Sequence, residues 1–489
     1  MRHFIFKHFK MRTTKLISVI LFLIQSIFLN AQDKVWTLEQ CINQAYKENI
    51  QIKQSQLNNE INELNIEQSK ANRIPTLNAN AEQSFSWGSS IDPVTSVYQE
   101  DKNYTSNNFS LSSGINLFNG FQNTNIIKQN KLNYEAGKYD IEKAKENISI
   151  SVADAYLQIL FAYEQIKNAK NQLKATEKQY SRITELFKAG GKSQYDVFQI
   201  KSQLSSEKLT LVNAENQLSI AKVNLMQLME IPVSDNFDIE KPGFSNIFLQ
   251  DSVFNTSKGI YEQALKIKPE IRSAEINTTS SEIGIKIANG AKMPNLSLNG
   301  GVVTRYSSTK NKVSYQTSSQ TYEIGYLQSN PSEIVMGNVD VNTPVYKDYP
   351  FNVQIEDNFY QYLNLTLSIP VLNNKQVKTK ISKAEINNQI TKLEEQNIKN
   401  QLRKNIEQIF TDVKSAEKEY EASYEQLKTL KESYKNGEEK YNLGMINPVD
   451  FLLEKTKYIN AENDLLKSKY NYIFKTKILD FYQGKPITL

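Results

Sequence analysis

The sequence predicts a mainly α chain with a small transmembrane β part: duplicated long coiled-coil helical hairpins, plus four β-strands per chain contributing to a barrel shared between copies. Three observations predict it. The chain is written twice, its long proline-free tracts carry apolar residues at heptad spacing, and the segments between them alternate polar and apolar residues with period two.

The duplication shows in the stretches LFKAGGKSQYDVF (Leu186–Phe198) and YNLGMINPVDF (Tyr441–Phe451), in which Gly190 to Gly444 and Asp196 to Asp450 are each 254 positions apart. FNG at Phe118–Gly120 matches LNN at Leu372–Asn374 with the same offset. Upstream, Gln44-Ala45-Tyr46-Lys47 matches Gln263-Ala264-Leu265-Lys266, and Arg73-Ile74-Pro75 matches Lys292-Met293-Pro294, both 219 apart. The second half therefore holds 35 extra residues, between Pro294 and Leu372.

Taken in order, residues 1–31 read as a secretory signal: Arg2, Lys7, Lys10, Arg12 and Lys15 precede an apolar core from Leu16 to Leu29, and Ala31 offers the small residue for cleavage. Residues 32–75 and 258–293 read as short helices opening each half, with 232–257 a linker between the halves.

Residues 76–118 and 294–372 read as two β-hairpins of the barrel. In the first, Leu77, Ala79, Ala81, Phe85 and Trp87 share a face opposite Asn78, Asn80 and Glu82, and Ile115 and Leu117 alternate with Asn116. In the second, Leu296, Leu298 and Val302 oppose Asn299 and Arg305, and Leu363, Leu365 and Leu367 oppose Asn364. Strands of about ten residues cross a bilayer when tilted. Phe85, Trp87, Phe109, Tyr306, Phe359 and Tyr360 gather at one end, as an interfacial girdle does. The polar residues Asn78, Asn80, Glu82, Asn116, Asn299, Arg305 and Asn364 would then line a lumen. The extra residues fall in 307–358, rich in Ser, Thr, Tyr and Asn, which reads as a long solvated extracellular loop, with a partner or pore-covering role as the sharper alternative.

Residues 119–231 and 373–484 read as the two long helical hairpins, followed by a short tail, 485–489. No proline occurs between Pro93 and Pro232 or between Pro370 and Pro448. Ile127, Tyr134, Ile141, Ile148, Ala155, Ala162, Ala169, Thr176 and Ile183 form one heptad row; Val152, Ile159, Ile166, Leu173, Tyr180 and Phe187 form the second. After the turn the row resumes at Val197, Leu204, Leu211, Leu218 and Leu225, matched by Phe451, Tyr458, Leu465, Tyr472 and Leu479. Asn119 to Gly190 and Asn373 to Gly444 are both 71 positions, so each arm reaches ~100 Å. At the tips, Ser193 with Asp196 and Asn447 with Asp450 read as helix caps.

Both histidines, His3 and His8, lie in the signal, and Cys41 is the single cysteine. A His-based triad, a His/Cys metal cluster and an intrachain disulfide are thereby excluded, which argues against an enzyme and for no cofactor. A net charge of +5 without a basic patch gives no case for nucleic acid.

These features together resemble the TolC family of outer membrane efflux proteins over roughly Trp36 to Gln483. The resemblance rests on TLEQCINQAYKENI in the first helix, RIP and MP before the first strand of each half, LFNG and IPVLNN at the strand-to-helix junctions, and the glycine-then-Asp tips. It implies a homotrimer whose strands close one twelve-stranded barrel in the outer membrane of a Gram-negative bacterium. It also implies helices extending through the periplasm, and a periplasmic adaptor and an inner-membrane pump as partners. The duct would be passive, serving efflux or type I secretion. Gly190, Gly191, Gly444 and Met445 would form the adaptor contacts. Asp450 matches an acid that narrows the family's periplasmic entrance. The second such acid falls at Leu453, beside Glu454, and an Arg-like latch position falls at Ile446, so the gate departs from the family pattern there. Asp450 has two open readings, cap and gate. A different class, a periplasmic coiled-coil adaptor or scaffold without a membrane part, is the alternative function.

Overall fold

The computed structural model describes residues 35–101, 103–241 and 256–487. The expected signal peptide, most of the expected linker and the last two residues of the tail lie outside them.

The duplication governs every main element. Helix α1 (Leu38–Glu48) and α2 (Ile50–Ala71) recur 219 residues later as α5 (Ser257–Ile267) and α6 (Pro269–Gly290). Helix α3 (Gln122–Lys188) and α4 (Gln194–Leu228) recur 254 later as α8 (Gln376–Asn442) and α9 (Pro448–Tyr482). Local causes recur with them. Thr37 and Thr256 cap α1 and α5 through their side chains. Before α3 and α8 the chain turns through two successive left-handed residues, Gly120-Phe121 and Asn374-Lys375. Glycine and asparagine tolerate that conformation, which accounts for the FNG and LNN signals.

The described residues form two compact units, one drawn from 35–63, 131–279 and 389–487, the other from 64–130 and 280–388. The first is helical. Ile148, Val152, Ala155 and Ile159 of α3 pack with Leu225 and Met226 of α4, Ile473 of α9 and Cys41 of α1. The heptad row expected on α3 is thus the core. On α4 the most buried row is Ile200, Glu207, Ala214 and Ala221. Of the expected row Leu225 is buried, but Val197, Leu204, Leu211 and Leu218 are only half-buried, so towards the tip the seam within one copy runs three residues from the expected one. Two short strands add a parallel pair, β1 (Val35–Trp36) with β6 (Asp238–Ile239), so the expected linker begins with structure.

The second unit holds an antiparallel sheet in the order β10-β7-β5-β2, from β2 (Thr76–Ser86), β5 (Tyr104–Asn119), β7 (Asn295–Ser307) and β10 (Tyr360–Ser368). Two short strands, β3 (Ser90–Ile91) and β4 (Tyr98–Gln99), turn the first hairpin. The expected loop 307–358 is instead structured. It is a ribbon of β8 (Lys312–Leu327) and β9 (Asn330–Lys347), followed by a short helix α7 (Phe351–Asp357). Alternation is what makes it a ribbon: Val339, Val341 and Val345 alternate with Asp340, Asn342 and Pro344. Its base is clamped. The buried Gln354 side chain accepts from Ser307 N and donates to the carbonyls of Ser307 and Tyr349, and Lys312 pairs with Asp357 at 2.8 Å.

Candidate functional site

The sheet sorts its side chains by face. Residues directly opposite in an antiparallel pair share a face. Asn78 pairs with Ser112, Asn80 with Ser110 and Glu82 with Asn108. Asn108 pairs in turn with Arg305, and Asn116 with Ser297. Asn364 pairs with Asn299. All seven barrel residues singled out in the sequence therefore lie on one polar face, with Ser84, Ser106 and Thr366. The other face carries Leu77, Ala79, Ala81, Phe109, Leu111, Val302, Leu363, Leu365 and Leu367. Leu363 is 74% exposed and Leu365 63% in the single chain. The sheet is one layer, and α7 lies over one end of that apolar side, where the Thr304 hydroxyl donates to Ile355 O. At one end Phe85 stacks on Trp87, and Phe351 of α7 joins Phe109 and Tyr306 edge-on.

The hairpin tips form the second candidate site. Gly190 and Gly444 adopt φ of +78° and +75° and end α3 and α8. The Gly191 N–H donates to Leu186 O, and Met445 N–H to Lys440 O, each closing a Schellman turn. Ser193 and Asp196 form a reciprocal capping box, with Asp196 buried. Asn447 Oδ1 accepts from Asp450 N at 2.9 Å, and Asn447 Nδ2 donates to the Asp450 carboxylate at 2.7 Å. Asp450 is nonetheless exposed.

Glu454 accepts from Lys457 Nζ and Ser433 Oγ, and the Lys457 contact first, then Ser433, holds its carboxyl below the usual carboxylate range. Leu453 is exposed, and Ile446 packs against a cluster of Ile183, Ile200, Tyr441 and Phe451, one residue from each long helix. No cation can latch from position 446; the side chain there is part of the tip core.

Other contacts tie the hairpins together, and the sequence reading missed them. Arg182 donates to Asn442 Oδ1 at 2.9 Å, and Lys192 lies 4.6 Å over the Tyr441 ring. Deeper, Lys455 of α9 pairs with Glu207 of α4 at 3.0 Å and donates to Thr176 of α3. A signal existed: Glu207 stands seven residues from both Ile200 and Ala214, in a core row where a charge requires a partner.

The family model for outer membrane efflux proteins matches residues 41–229 and 260–480. The chain belongs to the outer membrane efflux protein family. Solved structures agree in fold. The outer membrane protein VceC of Vibrio cholerae is 13% identical, with 92% of this chain and 97% of that one covered at a TM-score of 0.69. The Campylobacter jejuni CmeC outer membrane channel is 16% identical, with 91% and 85% covered and a TM-score of 0.67. The open state of the Neisseria gonorrhoeae MtrE outer membrane channel is 17% identical, with 91% and 88% covered and a TM-score of 0.67. No curated protein matches the chain. Membership places this efflux protein in the outer membrane as a transport channel, and the alternative of a periplasmic adaptor or scaffold gives way. Among the described residues no helix is long and apolar enough to cross a membrane.

Proposed function

We propose that three copies of this efflux protein close one barrel and one helical duct, a passive exit whose periplasmic end docks an adaptor and, through it, an inner-membrane pump. The observation that carries this is the sheet itself. It has one apolar and one polar face, and among the described residues both of its edge strands, β2 and β10, lack an outer neighbour. Backbone groups inside a bilayer must all be paired, so an open four-stranded sheet is not a stable end state there. Copies joined edge to edge satisfy every group. The apolar face then meets lipid, and Asn78, Asn80, Glu82, Asn116, Asn299, Arg305 and Asn364 face the lumen.

At the tips, the exposed Leu443, Met445 and Val449 beside Gly444, and Tyr195 and Phe198 beyond Gly191, supply apolar surface for the adaptor. Asp450 caps α9 and, repeated three times about an axis, makes a ring of carboxylates at the entrance. Glu454 is held by Lys457 and Ser433, and Leu453 supplies no charge, so Asp450 carries the gate charge alone. Light scattering in detergent tests the assembly, with a trimer mass as the expected result. A monomer that stays soluble without detergent overturns the reading.

A further inference from the structure

Resting on the trimeric reading above, and going beyond it to the residues that meet, we infer that β10 of one copy pairs antiparallel with β2 of the next in a single register: Asn364 opposite Ser84, Thr366 opposite Glu82, and Ser368 opposite Asn80.

The register follows from the duplication. Strand β7 repeats β2 at an offset of 219, and β10 repeats β5 at 254. The offsets hold for pairing as well as for position. Thr76 opposite Gly114 in the first hairpin becomes Asn295 opposite Ser368 in the second. The two hairpins meet through β5 and β7, where Ser110 lies opposite Val303, Ser112 opposite Gly301 and Gly114 opposite Asn299. The free edges, β10 and β2, are the repeats of β5 and β7. A next copy added by the same relation repeats that junction, carrying Ser110 to Asn364 and Val303 to Ser84.

The register keeps the two faces of the sheet sorted across the junction. Every derived pair joins two residues of the polar face, whereas a one-residue slip would set Asn364 against Phe85 or Gln83 and invert the faces. On the other side the register sets Leu363 against Phe85, an apolar–aromatic pair, and both are exposed in the single chain.

The helical unit gives independent support. There α3 packs on α6, with Asp140 accepting from Ser273 Oγ at 2.7 Å. The repeats of these two positions are Glu394 on α8 and Gln54 on α2, again a carboxylate and a donor. Around them Ile390 and Leu393 on α8, and Leu57 and Ile61 on α2, leave apolar stripes exposed at 49%, 70%, 61% and 56%. At the corresponding place inside the chain Ala136 is buried. These stripes are the faces that α8 of one copy and α2 of the next would cover.

Cysteine pairs test the register in the full-length protein. Cys41 is buried and can remain as the parent control. Asn364→Cys with Ser84→Cys is expected to oxidise to a covalent trimer. Asn364→Cys with Glu82→Cys, or with Ser86→Cys, is not, because a two-residue slip adds ~7 Å along the strand and exceeds disulfide reach. Ile390→Cys with Leu57→Cys is read beside them with a short bifunctional thiol crosslinker, and a covalent trimer is expected. Faster bridging of a slipped pair overturns the register. So does a failure of every strand pair in material that light scattering finds trimeric. A monomer in detergent overturns the trimeric reading and the register with it.

Discussion

Lys455 Nζ lies 3.0 Å from Glu207 Oε1, and the two side chains, from different hairpins, are 3% and 6% exposed. Gln203 also donates to Glu207 at 2.9 Å, while Lys455 reaches Thr176. Two charges have been taken out of water to join α9 to α4 and α3. Desolvation of such a pair offsets much of its attraction, but removing one partner strands the other charge.

Lys455→Ala is therefore expected to destabilise the helical unit by about 3–5 kcal/mol, while Lys455→Met combined with Glu207→Leu is near neutral or stabilising. Thermal unfolding followed by circular dichroism in detergent reads both. Equal losses from the single and double variants would mean that the pair is a net attraction rather than a matched burial.

Asp450 has two roles that two substitutions separate. Asp450→Asn removes the charge and leaves the Asn447 carbonyl free to cap Asp450 N as before. It should reduce cation preference in bilayer conductance with little change in stability. Asn447→Ala removes the cap, costs about 1 kcal/mol and should leave the ion preference intact. An unchanged conductance and selectivity in Asp450→Asn would leave Asp450 a cap and nothing more.

Gly190→Ala and Gly444→Ala probe the tips. Both glycines have positive φ, and an added Cβ would meet nothing within 4 Å. The expected cost is the left-handed backbone alone, about 1–2 kcal/mol each, read as a lowered unfolding midpoint. A neutral result would mean the turn re-forms with another residue in the left-handed position.

What the sequence made legible was whatever repeats or alternates. Heptad rows such as Ile148, Ala155 and Ala162, and the split of Asn80 and Glu82 from Leu77 and Ala81, follow from periods that packing enforces. The equal arms also follow, since helices that must end together cannot differ in length. The Lys455–Glu207 pair left only the faint signal of Glu207 in a row with Ile200 and Ala214, because Lys and Glu on a long helix are far more often solvated. The ribbon was missed because its alternating Val339, Val341 and Val345 stand among Ser, Thr, Tyr and Asn residues that read as a solvated loop. The sequence marks Ile446 only as a departure from the family's Arg-like latch, because its packing on Tyr441 and Phe451 needs four helix ends brought together.

Removal of Val313–Tyr346, with a short Gly-Ser bridge joining Lys312 to Lys347, is expected to leave the trimer and its unfolding midpoint unchanged. The first half makes the equivalent turn with only β3 and β4, so the sheet closes without such an insertion. The clamp through Gln354, Ser307 and Asp357 lies outside the deleted segment. Trimer loss on a native gel would show that the ribbon holds copies together.

Acid should weaken the second hairpin through Asp412. The Lys475 ammonium, bonded to it at 2.8 Å, and then the Gln408 amide hold its carboxyl below the usual carboxylate range. A depressed folded pKa means that the stabilisation is present above the unfolded value, ~3.9, and is lost as pH falls through the folded one. The pair joins α8 to α9 at a partly exposed site, so it contributes at most about 1 kcal/mol. Asp412→Asn is thus expected to lower the unfolding midpoint slightly at neutral pH and to match the parent once the pH is below the folded pKa. High salt should shrink the neutral-pH difference. A gap between parent and variant that persists unchanged into acid would assign the effect to the lost Gln408 bond rather than to charge.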